Sequence, residues 1–362
     1  MEKLLIYNFD KNSSALARYD SLLTEYIPFK YIVAESAGLD GKDASVVDGG
    51  SFLNKPLTVN YKESLDVCDA VLFNYCDFRY INHKLLIKEI DQAVNQKKKI
   101  ILSKDIEKYI KSNEDFPEFT YRSLGSDTKY QFDKRAKMGR INTPIVFILG
   151  LGQYCNKFEI LLTFKKYLEQ MGYKPLCISG NPYSELFGIR SIPEFMFANE
   201  VSDTEKITNL NNYFRNWEQE EEPDIFLVSV PDAILPFNMD YHNNFGTLPF
   251  IFANALNPDI EILSVYSAVY SDYYYCNMKN ICKYRLNCDS VYFHMAGSEL
   301  KYEPLISREE PKVSIVQMKN VMKKLEDKTA RKYRVFNVMD ENSANNIYDR
   351  IIEELSNNLL VI

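Results

Sequence analysis

The chain has 362 residues, a length that suits two domains better than one, and its 46% hydrophobic and 26% charged residues are ordinary for a globular protein. Its formal net charge of -7 excludes general binding along a phosphate backbone, which needs a basic face, but leaves room for a local basic pocket. Nucleic acid is therefore not an expected partner.

The N-terminal residues MEKLLIYNFDKN have neither the charged-then-apolar order nor the small-residue cleavage site of a secretory signal. No apolar run reaches the ~18 residues of a membrane helix, so membrane insertion is not expected. Seven cysteines, an odd number in a long chain, argue against a disulfide framework. A cytoplasmic location is the expectation.

The first hundred residues alternate strand and helix signals, the pattern of a parallel sheet covered by helices. Lys3–Tyr7, Tyr31–Ala34, Ala70–Asn74 and Ile100–Leu102 read as buried strands. Ser13 and Ser14 are positioned to cap a helix through Leu23, and His83–Val94 has apolar residues near helical spacing. Residues 111–142 are polar and read as a linker or irregular bridge. A Rossmann-like domain over 1–110 and a second domain over 143–362 follow from that break.

The second alternation starts with the strand Pro144–Leu149 and a helix Asn156–Met171, with Gly172 as its C′ residue. Strands are expected at Lys174–Ser179, Asp224–Val230, Ile260–Val265 and Tyr333–Val338, and helices at Leu248–Leu256 and from a Ser343 cap to Leu355. The fold class is α/β, a Rossmann-like parallel sheet domain followed by a P-loop-NTPase-like α/β domain.

The most informative stretch is TPIVFILGLGQYCNKFE, a buried strand, a glycine-bearing loop, a lysine and a helix. That order is the phosphate-loop context. Glycines let backbone amides approach phosphate oxygens, and the helix N-terminus adds partial positive charge. Gly150, Gly152, Gln153, Tyr154, Cys155, Asn156 and Lys157 are the candidate residues for a nucleotide or other phosphate-containing ligand, with Lys157 near the outer phosphates.

The motif departs from G-x-x-x-x-G-K-[ST]. Asn156 stands in the second glycine slot and Leu151 in the first, while Phe158 replaces the hydroxyl residue that would bind magnesium. Asn tolerates positive φ better than most residues. Asp232, after the Asp224–Val230 strand, is the candidate metal-assisting acid and equally a turn aspartate; Glu159 is a further possible metal contact. The alternative for the whole stretch is a tight strand–helix turn with no ligand.

Other constellations carry less. Cys276, Cys282, Cys288 and His294 recur every six residues with donors that suit zinc, but they lack a close C-x₂-C pair, and free cysteines are commonly small buried hydrophobes. No metal site is assigned. Cys155 precedes a helix start, where a thiol pKa tends to fall, yet no histidine is paired with it by sequence; a packing cysteine is the plainer reading. The first strand runs into NFDKNSS, so the dinucleotide fingerprint is absent. The tyrosine-dense Ser271–Asn280 reads as a partly buried loop, or as a surface that stacks bases or grips a peptide, and Glu218–Glu222 as a solvated helix end or loop.

The order of the two halves, with GLGQYCNKFE and then PDIFLVSVPDAILP…NNFGTLPFIFANALNPDIEIL, resembles a two-domain family that includes D-glutamate N-acetyltransferases and carries a G-T-x-x-x-x-G-K-x-T-T loop. The strings LGLGQYCNKFE, YSELFG, PEFMF and VYFHM are also similar to peptide-maturation-system proteins, encoded beside radical SAM enzymes and transporters in ribosomal-peptide gene clusters. That resemblance covers essentially the whole chain. It implies an accessory role in maturing a ribosomally synthesised, post-translationally modified peptide, with a precursor peptide and a radical SAM enzyme as partners. The alternative is an active phosphate-ligand enzyme, an NTPase or CoA-type acyltransferase, working through the Gly150–Lys157 loop.

Overall fold

The computed structural model describes residues 1–74, 82–113, 115–125, 132–238, 240–301 and 311–359. It divides into two compact units, Met1–Lys129 with Asn181–Ser191, and Tyr130–Gly180 with Ile192–Ile362.

The first unit is built on strands β1 (Glu2–Tyr7), β2 (Tyr26–Ile32), β3 (Leu57–Thr58), β4 (Ala70–Phe73), β5 (Lys99–Leu102) and β6 (Arg122–Ser123). They stand in the order β3-β2-β1-β4-β5-β6 and every pair is parallel. This is the strand order of a doubly wound dinucleotide-type sheet, which confirms the Rossmann-like reading at the level of fold. The short apolar runs follow from burial on both faces: Leu4, Leu5, Ile6 and all of β4 are inaccessible to solvent. Helices α1 (Ser14–Arg18), α2 (Tyr61–Asp66), α3 (His83–Asn95) and α4 (Lys104–Lys111) complete the layers, with Asn60, Asn82 and Ser103 capping the last three.

Two expectations here need correction. The second strand begins at Tyr26, five residues early, because exposed Ile27 and Phe29 alternate with buried Tyr26 and Pro28 and mask the run. The first helix stops at Arg18, and Ser13 directs its hydroxyl to Asp10 instead of capping α1.

The second unit holds β7 (Ile145–Gly150), β8 (Pro175–Ser179), β10 (Ile225–Ser229), β11 (Ile260–Val265) and β12 (Val291–Met295); the two-residue β9 (Arg190–Ser191) falls in the segment grouped with the first unit. The five strands run β12-β11-β7-β10-β8, all parallel, so β7 is central. Every residue of β7 is buried, and Phe147 lies in a core with Leu263, Phe226 and Phe214. Truncating such a ring to alanine costs ~3–5 kcal/mol. Strands β13 (Ser298–Lys301) and β14 (Lys312–Ile315) form an antiparallel pair.

Around this sheet lie α5 (Lys157–Gln170), α6 (Asp203–Glu221), α7 (Thr247–Leu256), α8 (Asp272–Leu286), α9 (Met318–Leu325), α10 (Lys328–Lys332) and α11 (Glu341–Leu359). Helix α6 starts with a capping box between Ser202 and Glu205 and buries Phe214 and Trp217. Two of its asparagines hold the polar bridge. Asn209 accepts from the Asp133 amide at 2.9 Å and Asn211 from the Gly139 amide at 2.8 Å. Positions 114 and 126–131 of that bridge lie outside the described residues.

Three sequence readings change in this unit. Residues 333–338 form no strand; a single parallel bridge joins Phe336 to His294, because Arg334 is left-handed and Asn337 turns its amide onto the Met295 carbonyl. The closing helix starts at Glu341, two residues before the expected cap, and the Ser343 amide donates to Asp340. The tyrosine-dense stretch is helix, not loop: Ser271 caps α8, and Tyr275 is buried in the core. No described helix is long and apolar enough to cross a membrane.

Candidate functional site

Strand β7 leads out through α5 to β8, beyond β10 on one side, while its neighbour β11 leads out to β12 on the opposite side. The carboxyl ends of β7 and β11 therefore flank a topological switch point, the place where ligands bind in open α/β sheets. The loop from Gly150 to Lys157 occupies that position. The expected strand–loop–helix order is thus present, and α5 begins where the sequence places it.

The loop is held in a strained form. Tyr154 has φ 58° and Asn156 φ 51°, both left-handed. Asn156 is the residue preceding α5, so the second glycine slot keeps a glycine-like backbone with a side chain added. That side chain is buried and bonded at both ends. Its amide donates to the Glu159 carboxylate at 2.8 Å, and its oxygen accepts from the Gly297 amide at 2.7 Å. The carboxylate of Glu159, considered above as a possible metal contact, is thus engaged within the helix's first turn.

Lys157 turns back on the sheet. Its ammonium donates to the carbonyls of Val230 at 2.7 Å and Asp232 at 2.8 Å, both just past the end of β10. Two of the three ammonium N–H groups are engaged in this way. Burial pulls the lysine down to about 8, against the opposing pull of Cys155 and Asp232. Asp232 is itself left-handed, φ 59°, and its carboxylate accepts from the Asn244 amide at 3.1 Å. Asn243, Asn244, Phe245 and Gly246 follow with φ of 44°, 49°, 53° and 67°, a short left-handed turn. Such runs are rare because each non-glycine step costs ~1–2 kcal/mol.

Cys155 fills the interior of the loop. The Leu151 and Gly152 amides and the Tyr266 hydroxyl lie against its sulfur. Burial nonetheless raises the thiol to about 11, so it is protonated at neutral pH. The expected lowering at a helix start does not occur, because desolvation outweighs the amide contacts. Over the loop stand two rings. A Cβ on Gly152 would sit 2.5 Å from the Phe237 ring and collide with the Tyr266 hydroxyl, so any side chain here must push those two rings aside. Tyr266 also donates to the Gln153 carbonyl at 3.1 Å, and Ser298 to the Tyr154 carbonyl at 2.8 Å. Gln153 is exposed at the loop tip.

A buried polar pair sits beneath. The Val338 amide donates to His294 Nε2 at 3.2 Å, so the ring proton is on Nδ1 and goes to Ser264 Oγ at 2.8 Å. Burial holds His294 down to about 3, hence neutral. With Nε2 accepting and Nδ1 donating, this imidazole has no lone pair left for a metal. Of the cysteines spaced with it, Cys276 is exposed beside the Tyr333 hydroxyl at 3.1 Å, and Cys282 and Cys288 are buried near Glu261. Among the described residues no cluster of three or more metal-ligating side chains occurs.

The structure brings Gly150, Gly152, Cys155, Asn156, Lys157 and Asp232 into one loop system, with Gln153 and Tyr154 at its outer turn. Sequence reasoning missed Tyr266, Phe237, Gly297, Ser298 and Asn244, each of which lies more than 75 residues from the Gly150–Lys157 loop. No local pattern marks them.

No family model matches the chain, and no curated protein is similar to it. Among solved structures it is similar to a DUF1611 family protein from Anabaena variabilis, with a TM-score of 0.59, 9% identity, and coverage of 98% of this chain and 100% of that one. At that identity the likeness establishes the fold alone, the two-domain α/β arrangement. Cobyrinic acid a,c-diamide synthase from Mycobacterium smegmatis, solved with ADP and magnesium, matches at a TM-score of 0.26 and 8% identity over 42% of this chain and 74% of that one. With an ATP analog and magnesium, the same enzyme matches at 0.31 and 7% over 59% and 96%. Those two scores are too low to argue from.

Proposed function

We propose that this chain is a cytoplasmic accessory protein in the maturation of a ribosomally synthesised, post-translationally modified peptide. Its partners would be the precursor peptide and a radical SAM modifying enzyme. The degenerate phosphate-type loop would serve as a built-in joint. The partner assignment draws on the strings LGLGQYCNKFE, YSELFG, PEFMF and VYFHM. The observation that carries the non-catalytic part is Lys157, whose ammonium is taken by the Val230 and Asp232 carbonyls. In a working phosphate loop that ammonium must face the outer phosphates. Here it would have to exchange two carbonyls for them, and Phe158 supplies no hydroxyl for magnesium.

The competing reading is a phosphate-ligand enzyme, an NTPase or CoA-type acyltransferase. It is favoured by the placement of the loop at the switch point and by the left-handed residues around it, since backbone strain concentrates at functional sites. Calorimetric titration with ATP, GTP and acetyl-CoA, each with and without magnesium, separates the two. The accessory reading expects no micromolar binding, together with capture of the precursor peptide by the purified protein. Micromolar binding that Lys157→Ala removes would overturn it in favour of the enzyme.

A further inference from the structure

Basic residues are concentrated at one place in the second unit. From Lys312 to Arg334 there are eight Lys or Arg against two acids, Glu326 and Asp327, a local charge of +6 in a chain of net -7. Lys319 and Lys323 stand one turn apart on α9, and Lys328 and Lys332 one turn apart on α10. Like charges at that spacing destabilise a helix. Lys319, Lys323, Lys328 and Arg331 are all exposed, and among the described residues no acidic side chain pairs with any of them.

The patch continues onto α8. Lys332 pairs with Asp272 at the start of that helix, and the ammonium groups of Lys332 and Lys279 lie 5.3 and 5.7 Å from the Tyr333 ring. On the outer side of α8, Tyr273 and Tyr284 are 74% and 80% exposed. Among the described residues, positive charge without an acidic partner and exposed aromatic surface therefore meet on one helical layer.

We propose that this face, α9 and α10 with the outer side of α8, docks a short acidic peptide segment. Charge complementarity gives the sign of the partner. Its size follows from the rest of the chain, which sums to -13 once the basic stretch is set aside. Screening confines the attraction to about 8 Å at physiological salt. A long polyanion or a charged membrane extends past the patch and meets the acidic remainder, whereas a short segment stays within it. The exposed tyrosines add contact area at low entropic cost for apolar or aromatic side chains between the acids. This inference rests on the accessory-protein reading and names the class of peptide it would take.

The test uses the full chain and a fluorescein-labelled peptide of about a dozen residues, rich in Glu and Asp with interspersed Tyr, read by anisotropy. Binding is expected to weaken roughly tenfold or more in K323E/K328E/R331E, with the same sites changed to Gln giving an intermediate loss. The control K62E/K84E/K88E, an equal charge change on exposed positions of the first unit, is expected to keep binding. Circular dichroism and melting of each variant separate lost binding from lost folding. Raising salt from about 0.1 M to about 1 M, which shortens screening from ~10 to ~3 Å, should abolish the complex.

No binding of the peptide, or a control that loses as much as the patch variant, overturns the proposal. So does equal or tighter binding of a DNA duplex or of phosphatidylserine vesicles. If the patch variant captures the precursor peptide as well as the parent does, this inference falls and the accessory reading stands. If the acidic peptide binds through the patch but no precursor is captured, the accessory reading falls and the docking surface stands.

Discussion

The Asn156 side-chain amide donates to the Glu159 carboxylate at 2.8 Å, across the first turn of the helix that follows the central strand. The other end of the same amide accepts from Gly297, so one side chain ties the loop both to its own helix and to the segment after β12. The glycine that a phosphate loop would carry here can adopt the backbone but cannot make either bond.

Asn156 therefore has two separable contributions. Asn156→Gly relieves the left-handed backbone and loses the two hydrogen bonds, while Asn156→Ala loses the bonds and keeps the strain. The expected order of stability is Asn, then Gly, then Ala, with Ala about 1 kcal/mol below Gly. Denaturant unfolding of the three proteins checks it, and an Ala variant equal to the Gly variant would remove strain from the account.

Gly152 is fixed by what lies above it. Gly152→Ala drives a methyl into Phe237 and Tyr266 and is expected to cost about 1–3 kcal/mol. Pairing it with Phe237→Leu should recover part of that loss, because one of the two obstructions is removed. A double variant no more stable than Gly152→Ala alone would place the obstruction elsewhere.

Much of this arrangement was legible from the residues alone, and the reason differs by element. The β7 run and the Lys157–Gln170 helix show in the sequence because burial on both faces demands an unbroken apolar stretch. The tolerance of Asn156 for positive φ is a property of one residue and is readable as such. The destination of the Lys157 ammonium is not, since its acceptors are backbone carbonyls of Val230 and Asp232, which carry no side-chain signature. The Tyr333–Val338 run has strand-like composition, yet the amide of Asn337 diverts the chain after one bridge. Helix α8 was hidden because tyrosines stand on both its buried and its exposed sides, so no apolar stripe appears.

Two buried groups set opposite pH limits. Glu261 has no exposed surface, the Cys282 thiol beside it offsets only part of the cost of burial, and burial raises it to about 8 from an ordinary 4.5. Between those values the unfolded chain has released a proton that the folded chain keeps, so stability falls as pH rises. Glu89, raised to about 7 by burial, acts in the same direction in the first unit. His294, lowered to about 3, acts in the opposite sense: the unfolded chain binds the proton first as pH falls from 6.5, so stability drops toward acid. The second unit is expected to be most stable in mildly acidic solution. Glu261→Gln should flatten the alkaline limb, whose slope from this one group is at most about 1.4 kcal/mol per pH unit. Melting across pH 4–9 checks this, and an unchanged alkaline limb in the variant would exclude Glu261 as its origin.

Thiol labelling tests the interior of the loop directly. Cys276 is exposed on α8, whereas Cys155 is buried against the Leu151 and Gly152 amides with its pKa raised to about 11. Alkylation needs both access and the thiolate, and Cys155 lacks each of them. Native protein treated with iodoacetamide at neutral pH should therefore be modified at Cys276 well before Cys155, as read by peptide mass spectrometry. Lys157→Met should change this order. Without the ammonium, the Val230 and Asp232 carbonyls lose their donor, and the junction between the ends of β7 and β10 loosens. Faster labelling of Cys155 in that variant, with Cys276 unchanged, would identify Lys157 as the clasp that keeps the loop closed. Equal Cys155 protection with and without the lysine would assign closure to Tyr266 and Phe237 instead.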